Sequence, residues 1–181
     1  MSRITIQSAD QSPTASLPLL DAVNKQLGVI PNLMKMVGNS PAALEGYLSL
    51  NGAVAKGVLP LATRELLALA TAQFNGCDYC LSAHSYLGKN LARLSEAEMD
   101  QARDFHAADG ATNAALHFAR AVMASRGHVS DVDLAAVRGA GFGDAAIVEI
   151  VTNVALNVLT NYLNNVAATD IDFPVVLANR N

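Results

Sequence analysis

Charged side chains are scarce in this sequence of 181 residues. Asp, Glu, Lys and Arg make up 15% of it, where about 25% is usual, and hydrophobic residues make up 51%. The net charge is −4 and no basic run is present, so a nucleic-acid partner is not expected. Apolar surface in such excess is usually buried between subunits, and the composition therefore predicts a homo-oligomer.

The sequence also lacks an uninterrupted apolar segment of membrane-spanning length. Its N-terminus, MSRITIQSADQSP, has no apolar core of the kind found in a signal peptide. The longest apolar segment, AAIVEIVTNVALNVLTNYL, is interrupted by Glu149, Asn153, Asn157 and Asn161, whereas a span needs about 20 mostly apolar residues. We therefore expect no membrane contact and a cytoplasmic location, where two cysteines are more often reactive or metal-binding than a structural disulfide.

Alternating strand patterns are nearly absent, and helical signals fill the chain instead. Helix boundaries are marked by starting prolines, a capping box and terminating glycines: Pro41 and Pro60, Ser95 with Glu98, and Gly28, Gly57 and Gly88. The last helix is expected at roughly residues 144–168. No phosphate-binding loop is predicted, because the glycine-rich segment RGAGFG follows no strand. The pattern predicts a single all-α domain over residues 1–181.

The segment RELLALATAQFNGCDYCLSAH contains the only two cysteines, Cys77 and Cys80, together with Glu65 and His84. On a helix, the two cysteines and His84 fall within an arc of about 60°. Cysteines three residues apart lie about 5 Å apart at Cα, a distance that a disulfide tolerates. An imidazole beside a thiol favours formation of the thiolate at neutral pH.

Glu65 would lie about 18 Å from Cys77 if one continuous helix carried both residues. The intervening dipeptide Asn75–Gly76 favours left-handed backbone and breaks helices. A turn at this point would pack the helix with Glu65 against the helix with the cysteines. Glu65 could then accept a proton or hold His84 in one tautomer, directly or through water.

The same break places Cys77 and Cys80 in the first turn of a new helix, where the macrodipole favours a thiolate and Asp78 opposes it. Three interpretations follow from the residues alone. The cysteines could be buried core thiols, the cysteines with Glu65 and His84 could bind a metal, or the same four residues could form a thiol redox centre. The redox interpretation is favoured because it gives each of these four residues a role at its own position in the sequence.

The segment TRELLALATAQFNGCDYCLSAH resembles the signature of the alkylhydroperoxidase D-like (AhpD-like) proteins of the carboxymuconolactone decarboxylase superfamily. Glu65, Cys77, Cys80 and His84 carry the resemblance, within a core motif at residues 60–90. It extends to IPNLMKMVGNSPAALEGYLSLNGAV and GAGFGDAAIVEIV. The resemblance implies an all-α helical bundle with the CxxC pair at the N-terminus of a helix, assembled into dimers, trimers or hexamers.

The resemblance further implies a thiol-dependent peroxidase that needs no cofactor. Cys80 would be the peroxidatic thiol, oxidised to a sulfenic acid, with His84 and Glu65 as its proton relay. Cys77 would resolve it as a disulfide, which a dithiol reductant, either a lipoylated or a thioredoxin-like protein, would reduce. Tyr79 replaces a relay histidine of the founding enzyme. The decarboxylase branch does not use the cysteine pair as its working centre, so lactone chemistry is not expected.

Two further features lie outside this segment. His117, in AALHFARAV, is expected to be a partly buried structural histidine. Five asparagines form a polar stripe on the last helix, which we expect at a subunit interface rather than in the active-site pocket: Asn153, Asn157, Asn161, Asn164 and Asn165. The alternative function is a non-catalytic metal- or ligand-binding protein, or a redox sensor, on the same fold.

Overall fold

The computed structural model describes residues 1–8 and 11–179, and this part of the chain is helical without strands. After a short 3-10 helix at Thr14–Ser16 it contains α1 Leu17–Leu27, α2 Asn32–Val37, α3 Pro41–Val54, α4 Leu61–Phe74, α5 Asp78–Asn90, α6 Glu96–Arg103, α7 Gly110–Ser125, α8 Asp131–Gly139 and α9 Asp144–Ala167. The predicted all-α class is confirmed. The extent of a single domain over residues 1–181 stays a prediction, and Ala9, Asp10, Arg180 and Asn181 lie outside the described residues.

The helix boundaries follow the capping residues of the sequence. Ser95 accepts from the backbone N–H of Glu98, whose carboxylate accepts from the N–H of Ser95, which is the predicted capping box at the start of α6. Pro41 is the first residue of α3, and Gly28 ends α1 with a φ of 75°. These boundaries are local properties of the chain, which is why the sequence predicts them.

Two glycines that were expected to end helices have different roles. Helix α5 continues through Gly88, which is buried, and a Cβ there would lie 3.0 Å from the sulfur of Met99. Helix α3 ends at Val54, before Gly57, where a Cβ would overlap the carboxylate of Glu149. Both predictions were wrong because these glycines make room for a side chain that is distant in sequence.

Helix α4 is central to the core and packs against α5, α6, α7 and α9. Residues 66–72 are buried without interruption, and Leu67, Leu69, Ala70 and Ala72 are completely inaccessible. A helix that is apolar all round belongs in a protein interior. The position of α4 brings Glu65, just before this buried run, beneath the neighbouring helices.

Helix α9 lies across α3, α4, α5 and α7. In the described part of the chain it is the one helix long and apolar enough to cross a membrane, but half of its most apolar stretch is buried within the protein. A core helix of a folded protein meets the same criterion. Its buried face carries Asn153, Asn157, Asn161 and Asn164.

The chain reverses between α4 and α5 at the predicted helix break. Helix α4 ends at Phe74 with Asn75 as its cap, and Gly76 adopts a φ of 62°, in the left-handed region. The N–H of Cys77 then donates to the carbonyl of Ala72 at 2.9 Å, and α5 begins at Asp78. Helices α4 and α5 pack against each other as a result.

We expect Gly76→Ala to lower the free energy of unfolding by about 1 kcal/mol, because a residue with a Cβ is strained in left-handed backbone. Gly46→Ala is the matched control, because Gly46 lies within α3 without positive φ, and there alanine should stabilise by about 0.5–1 kcal/mol. At neither position would the added Cβ meet another atom within 4 Å. Urea unfolding measures both changes, and equal changes of the same sign would contradict the role of the turn.

Candidate active site

The turn at Gly76 brings Glu65 of α4 against His84 of α5. Glu65 Oε2 lies 2.8 Å from His84 Nδ1, and their side chains are 13% and 22% exposed. The contact is direct rather than through water, so Nδ1–H donates to the carboxylate and the imidazole is held in one orientation. The structure thus joins two residues that are nineteen positions apart.

The carboxylate of Glu65 favours the protonated form of His84. Burial of the imidazole opposes its charge, but the charge and hydrogen bond of Glu65, followed by the charge of Cys80, outweigh burial and raise the pKa of His84. The imidazolium in turn favours an anion at Cys80. These three groups therefore form an alternating series of charges, carboxylate, imidazolium and thiolate.

Cys77 and Cys80 are free thiols, 1% and 2% exposed. Cys77 is the N-cap of α5, and its sulfur accepts from the backbone N–H of Cys80 at 3.3 Å. The hydrogen bond to Cys80, together with burial, raises the pKa of Cys77, so its thiol stays protonated. Cys77 can therefore donate its S–H to the neighbouring sulfur.

Cys80 has the opposite character. Burial disfavours its thiolate, but the hydrogen bond from Cys77, the charge of His84 and the amides of Asn161 and Asn164 together lower the pKa of Cys80 to about 6. A pKa this far below that of a free cysteine makes the thiolate the dominant form at neutral pH. The two cysteines are thus differentiated, one as an anion and the other as its proton donor.

The asparagines of α9 lie at this site and not on an outer surface. Asn164 Nδ2 donates to Cys80 Sγ at 3.3 Å, and Asn161 is completely buried. Asn75, from the helix break, donates to Asn161 Oδ1 at 2.9 Å, and Asn165 Nδ2 donates to the carbonyl of Asn75 at 2.9 Å. The expected subunit-interface role is wrong for Asn161 and Asn164, because the fold turns this part of the stripe toward the thiols.

Two tyrosines differ in their relation to the thiols. Burial, followed by the charges of Cys80 and Glu65, raises the pKa of Tyr47 on α3, so this residue faces the same site. Tyr47 had no signal in the sequence, since no spacing relates α3 to the dithiol. The hydroxyl of Tyr79 instead donates to Asp172 Oδ1 at 2.8 Å and accepts from the N–H of Leu33. Its hydroxyl therefore bonds to α2 and to the segment after α9 rather than to either thiol.

Two other polar residues predicted from the sequence can now be placed. Asp78 accepts from the N–H of Ala178 at 2.8 Å, and its charge contributes to the raised pKa of Cys77 after the effects of Cys80 and burial. His117 is exposed, with its ring edge-on to His106 at 5.4 Å between centroids, so the expected partial burial is wrong. Among residues 1–8 and 11–179, no group of three or more His, Cys, Asp or Glu side chains is arranged to hold a metal ion.

A cavity of about 330 Å³ lies at the N-terminal end of α5, lined in part by Gly76, Tyr79, Asn164 and Thr169. The side-chain oxygens of Asn164 and Thr169 are buried without a hydrogen-bond partner in the described part of the chain. Buried polar atoms of this kind are usually satisfied by water or a ligand. A small protic molecule in the cavity would satisfy them beside the residue that contacts Cys80.

Residues 41–124 match the model of the carboxymuconolactone decarboxylase family. No curated protein matches the sequence. A peroxidase-related protein from Ralstonia eutropha JMP134, described as an alkylhydroperoxidase AhpD core, has a similar structure with 23% identity and a TM-score of 0.85, over 94% of this chain and 92% of that one.

Two further solved structures have the same fold. A peroxidase-related protein from Silicibacter sp. TM1040 is 20% identical with a TM-score of 0.82, over 93% of this chain and 91% of that one. The debrominase Bmp8, with a cysteine replaced by alanine and in complex with 2,3,4-tribromopyrrole, is 21% identical with a TM-score of 0.77, over 94% and 91%. The AhpD-like fold expected from the sequence is confirmed.

We expect Glu65→Gln to lower the pKa of His84, because the amide removes the negative charge that offsets burial of the imidazolium. Titration of the histidine ring protons by NMR measures this change. The ring protons of His106, His117 and His128 serve as internal controls for the substitution. An unchanged pKa at His84 would contradict the role given to the contact.

Proposed function

We propose that this chain is a thiol-dependent peroxidase of the carboxymuconolactone decarboxylase superfamily, because residues 41–124 match that family's model and the fold is AhpD-like. The observation that carries the proposal is the position of the Cys80 sulfur, which is buried and accepts from the amide of Asn164, while His84, held by Glu65, favours its thiolate. A thiolate is the nucleophile that attacks peroxides. An imidazolium close to it supplies the proton that the leaving oxygen needs.

The first step oxidises Cys80 and reduces the peroxide. The thiolate attacks the terminal oxygen of a hydroperoxide, an S–O bond forms and the O–O bond breaks. The alkoxide leaves with a proton from His84, so the products are an alcohol and the sulfenic acid of Cys80. Glu65 keeps the imidazole oriented through its 2.8 Å contact and stabilises the imidazolium before the transfer.

The second step joins the two cysteines. The hydrogen bond to the Cys80 sulfur is the largest cause of the raised pKa of Cys77. Oxidation of Cys80 removes the thiolate that accepts this hydrogen bond. The proton of Cys77 then passes to the neutral imidazole of His84, and the new thiolate attacks the sulfenic sulfur. Water leaves with this proton, and a Cys77–Cys80 disulfide forms. A dithiol protein, lipoylated or thioredoxin-like, supplies the two electrons and two protons that restore the thiols.

A halogenated aromatic compound is a second candidate oxidant, because the debrominase Bmp8 shares the fold and binds 2,3,4-tribromopyrrole. In that reaction the Cys80 thiolate would attack bromine, and the ring carbon would keep the bonding electrons and take up a proton from His84. Cys77 would pass its proton to the neutral imidazole and displace bromide from the S–Br group to give the same disulfide. Both reactions are two-electron oxidations of one dithiol, so release of alcohol or of bromide distinguishes them.

We expect Cys80→Ser to abolish peroxide consumption with dihydrolipoamide or thioredoxin as reductant, because serine supplies no thiolate. Cys77→Ser should still be oxidised once, to a sulfenic acid that dimedone traps on Cys80, but should not form the intramolecular disulfide. Hydrogen peroxide, an organic hydroperoxide and 2,3,4-tribromopyrrole are compared in parallel. Equal rates in the unmodified protein and Cys80→Ser would refute the proposal and leave the sensor or ligand-binding alternative.

We also propose that the protein is a homo-oligomer, in which a second copy of this chain is the partner. Exposed apolar side chains follow one face of α9 at helical spacing: Val148, Val151, Leu159, Tyr162 and Val166. We expect Leu159→Lys with Tyr162→Lys to lower the mass measured by light scattering, whereas Val175→Lys, outside this face, should leave it unchanged. An unmodified protein that is already monomeric would contradict the oligomer.

A further inference from the structure

We propose that Asn161 and Asn164 form a carboxamide pair that holds the Cys80 sulfur as a thiolate through two uncharged N–H donors. The inference rests on the proposed function in that it takes Cys80 as the reacting thiol. It assigns the pair as positioning residues, since they act on the sulfur and not on the oxidant. Their positions are one helical turn apart on the buried face of α9.

Asn164 makes the direct contact. Its side chain is 2% exposed, and its Nδ2 donates to Cys80 Sγ at 3.3 Å. A sulfur anion is a far better acceptor than a neutral thiol, because hydrogen bonds to charged groups are about twice as strong as those between neutral groups. The contact therefore favours the ionised form of Cys80 over the protonated form.

Asn161 supplies the second donor. Its Oδ1 accepts from Asn75 Nδ2 at 2.9 Å, which fixes the orientation of the amide. Its Nδ2 is buried and has no hydrogen-bond partner in the described part of the chain. The Cys80 sulfur is close enough for this amide to lower the pKa of the thiol. Ionisation of Cys80 would give the unsatisfied amino group an anion to interact with.

None of the titratable groups around Cys80 can stabilise its thiolate in the way that the two amides do. His84 favours the thiolate only while the imidazole is protonated, and the charge of Glu65 reaches it chiefly through His84. Tyr47 and Tyr79 are held neutral, since burial raises the pKa of each. Cys77 donates one S–H, which is lost when that thiol reacts. The amides do not titrate, so they remain available as donors to the Cys80 thiolate at every pH.

The decisive experiment measures the thiolate directly. The rate of Cys80 alkylation by iodoacetamide is followed against pH by mass spectrometry of the peptide that contains it, and the midpoint is expected at about 6 in the unmodified protein. Asn164→Leu and Asn161→Leu should each raise the midpoint by about one unit or more, because a hydrogen bond to a charged group is lost.

Asn157→Leu is the matched control. Asn157 is buried on the same face of α9, but its Nδ2 donates to the carbonyl of Asn153 at 2.8 Å and not to sulfur. Its substitution should leave the midpoint unchanged. Midpoints in Asn164→Leu and Asn161→Leu that equal the control would overturn the proposal, because a purely structural role cannot distinguish these positions.

Near-isosteric variants keep the inference testable if leucine prevents folding. Asn164→Asp and Asn161→Asp remove the N–H donors and introduce negative charge, so the midpoint should rise further than with leucine, while Asn157→Asp should change it least. The midpoint requires no turnover. A shifted midpoint without peroxide consumption would support the pair and refute the peroxidase, and turnover with unshifted midpoints would do the reverse.

Discussion

The left-handed turn at Gly76 is the constraint on which the site depends. It ends α4 and starts α5 within three residues, and the two helices pack together because of it. Glu65 thereby comes within 2.8 Å of His84, and Cys77 becomes the N-cap of a helix. A continuous helix would separate these groups by several turns and would leave the sulfurs without a helix N-terminus beside them.

Burial of charge is the physical problem that this site solves. An isolated ion in a protein interior costs several kcal/mol, which is why buried ions are paired or hydrogen-bonded. The thiolate of Cys80 is compensated by the imidazolium of His84, the thiol of Cys77 and the amide of Asn164, and His84 is compensated by Glu65. Each partner comes from a local contact in α5 or from α4 or α9, so the charge distribution requires the assembled helices.

Sequence predictions that depend on neighbouring residues were accurate, whereas those that depend on contacts between distant residues were not. Caps such as Ser95 with Glu98 and starts such as Pro41 were predicted correctly, because they depend on neighbours along the chain. Gly57 and Gly88 were misassigned as helix stops because Glu149 and Met99, far away in sequence, occupy the space that their missing side chains leave. A glycine is ambiguous in sequence, since the same residue serves a turn or a close contact.

The sequence by itself determined the helical class, the break at Asn75–Gly76 and the spacing of Cys77, Cys80 and His84, because periodicity, capping and turn propensity are local. Only the tertiary structure decided that Asn161 and Asn164 face the sulfur rather than a subunit interface. A polar stripe on an apolar helix indicates that its polar groups need hydrogen-bond partners. Which partners they find depends on the packing of α9 over α4 and α5, and no local pattern encodes that arrangement.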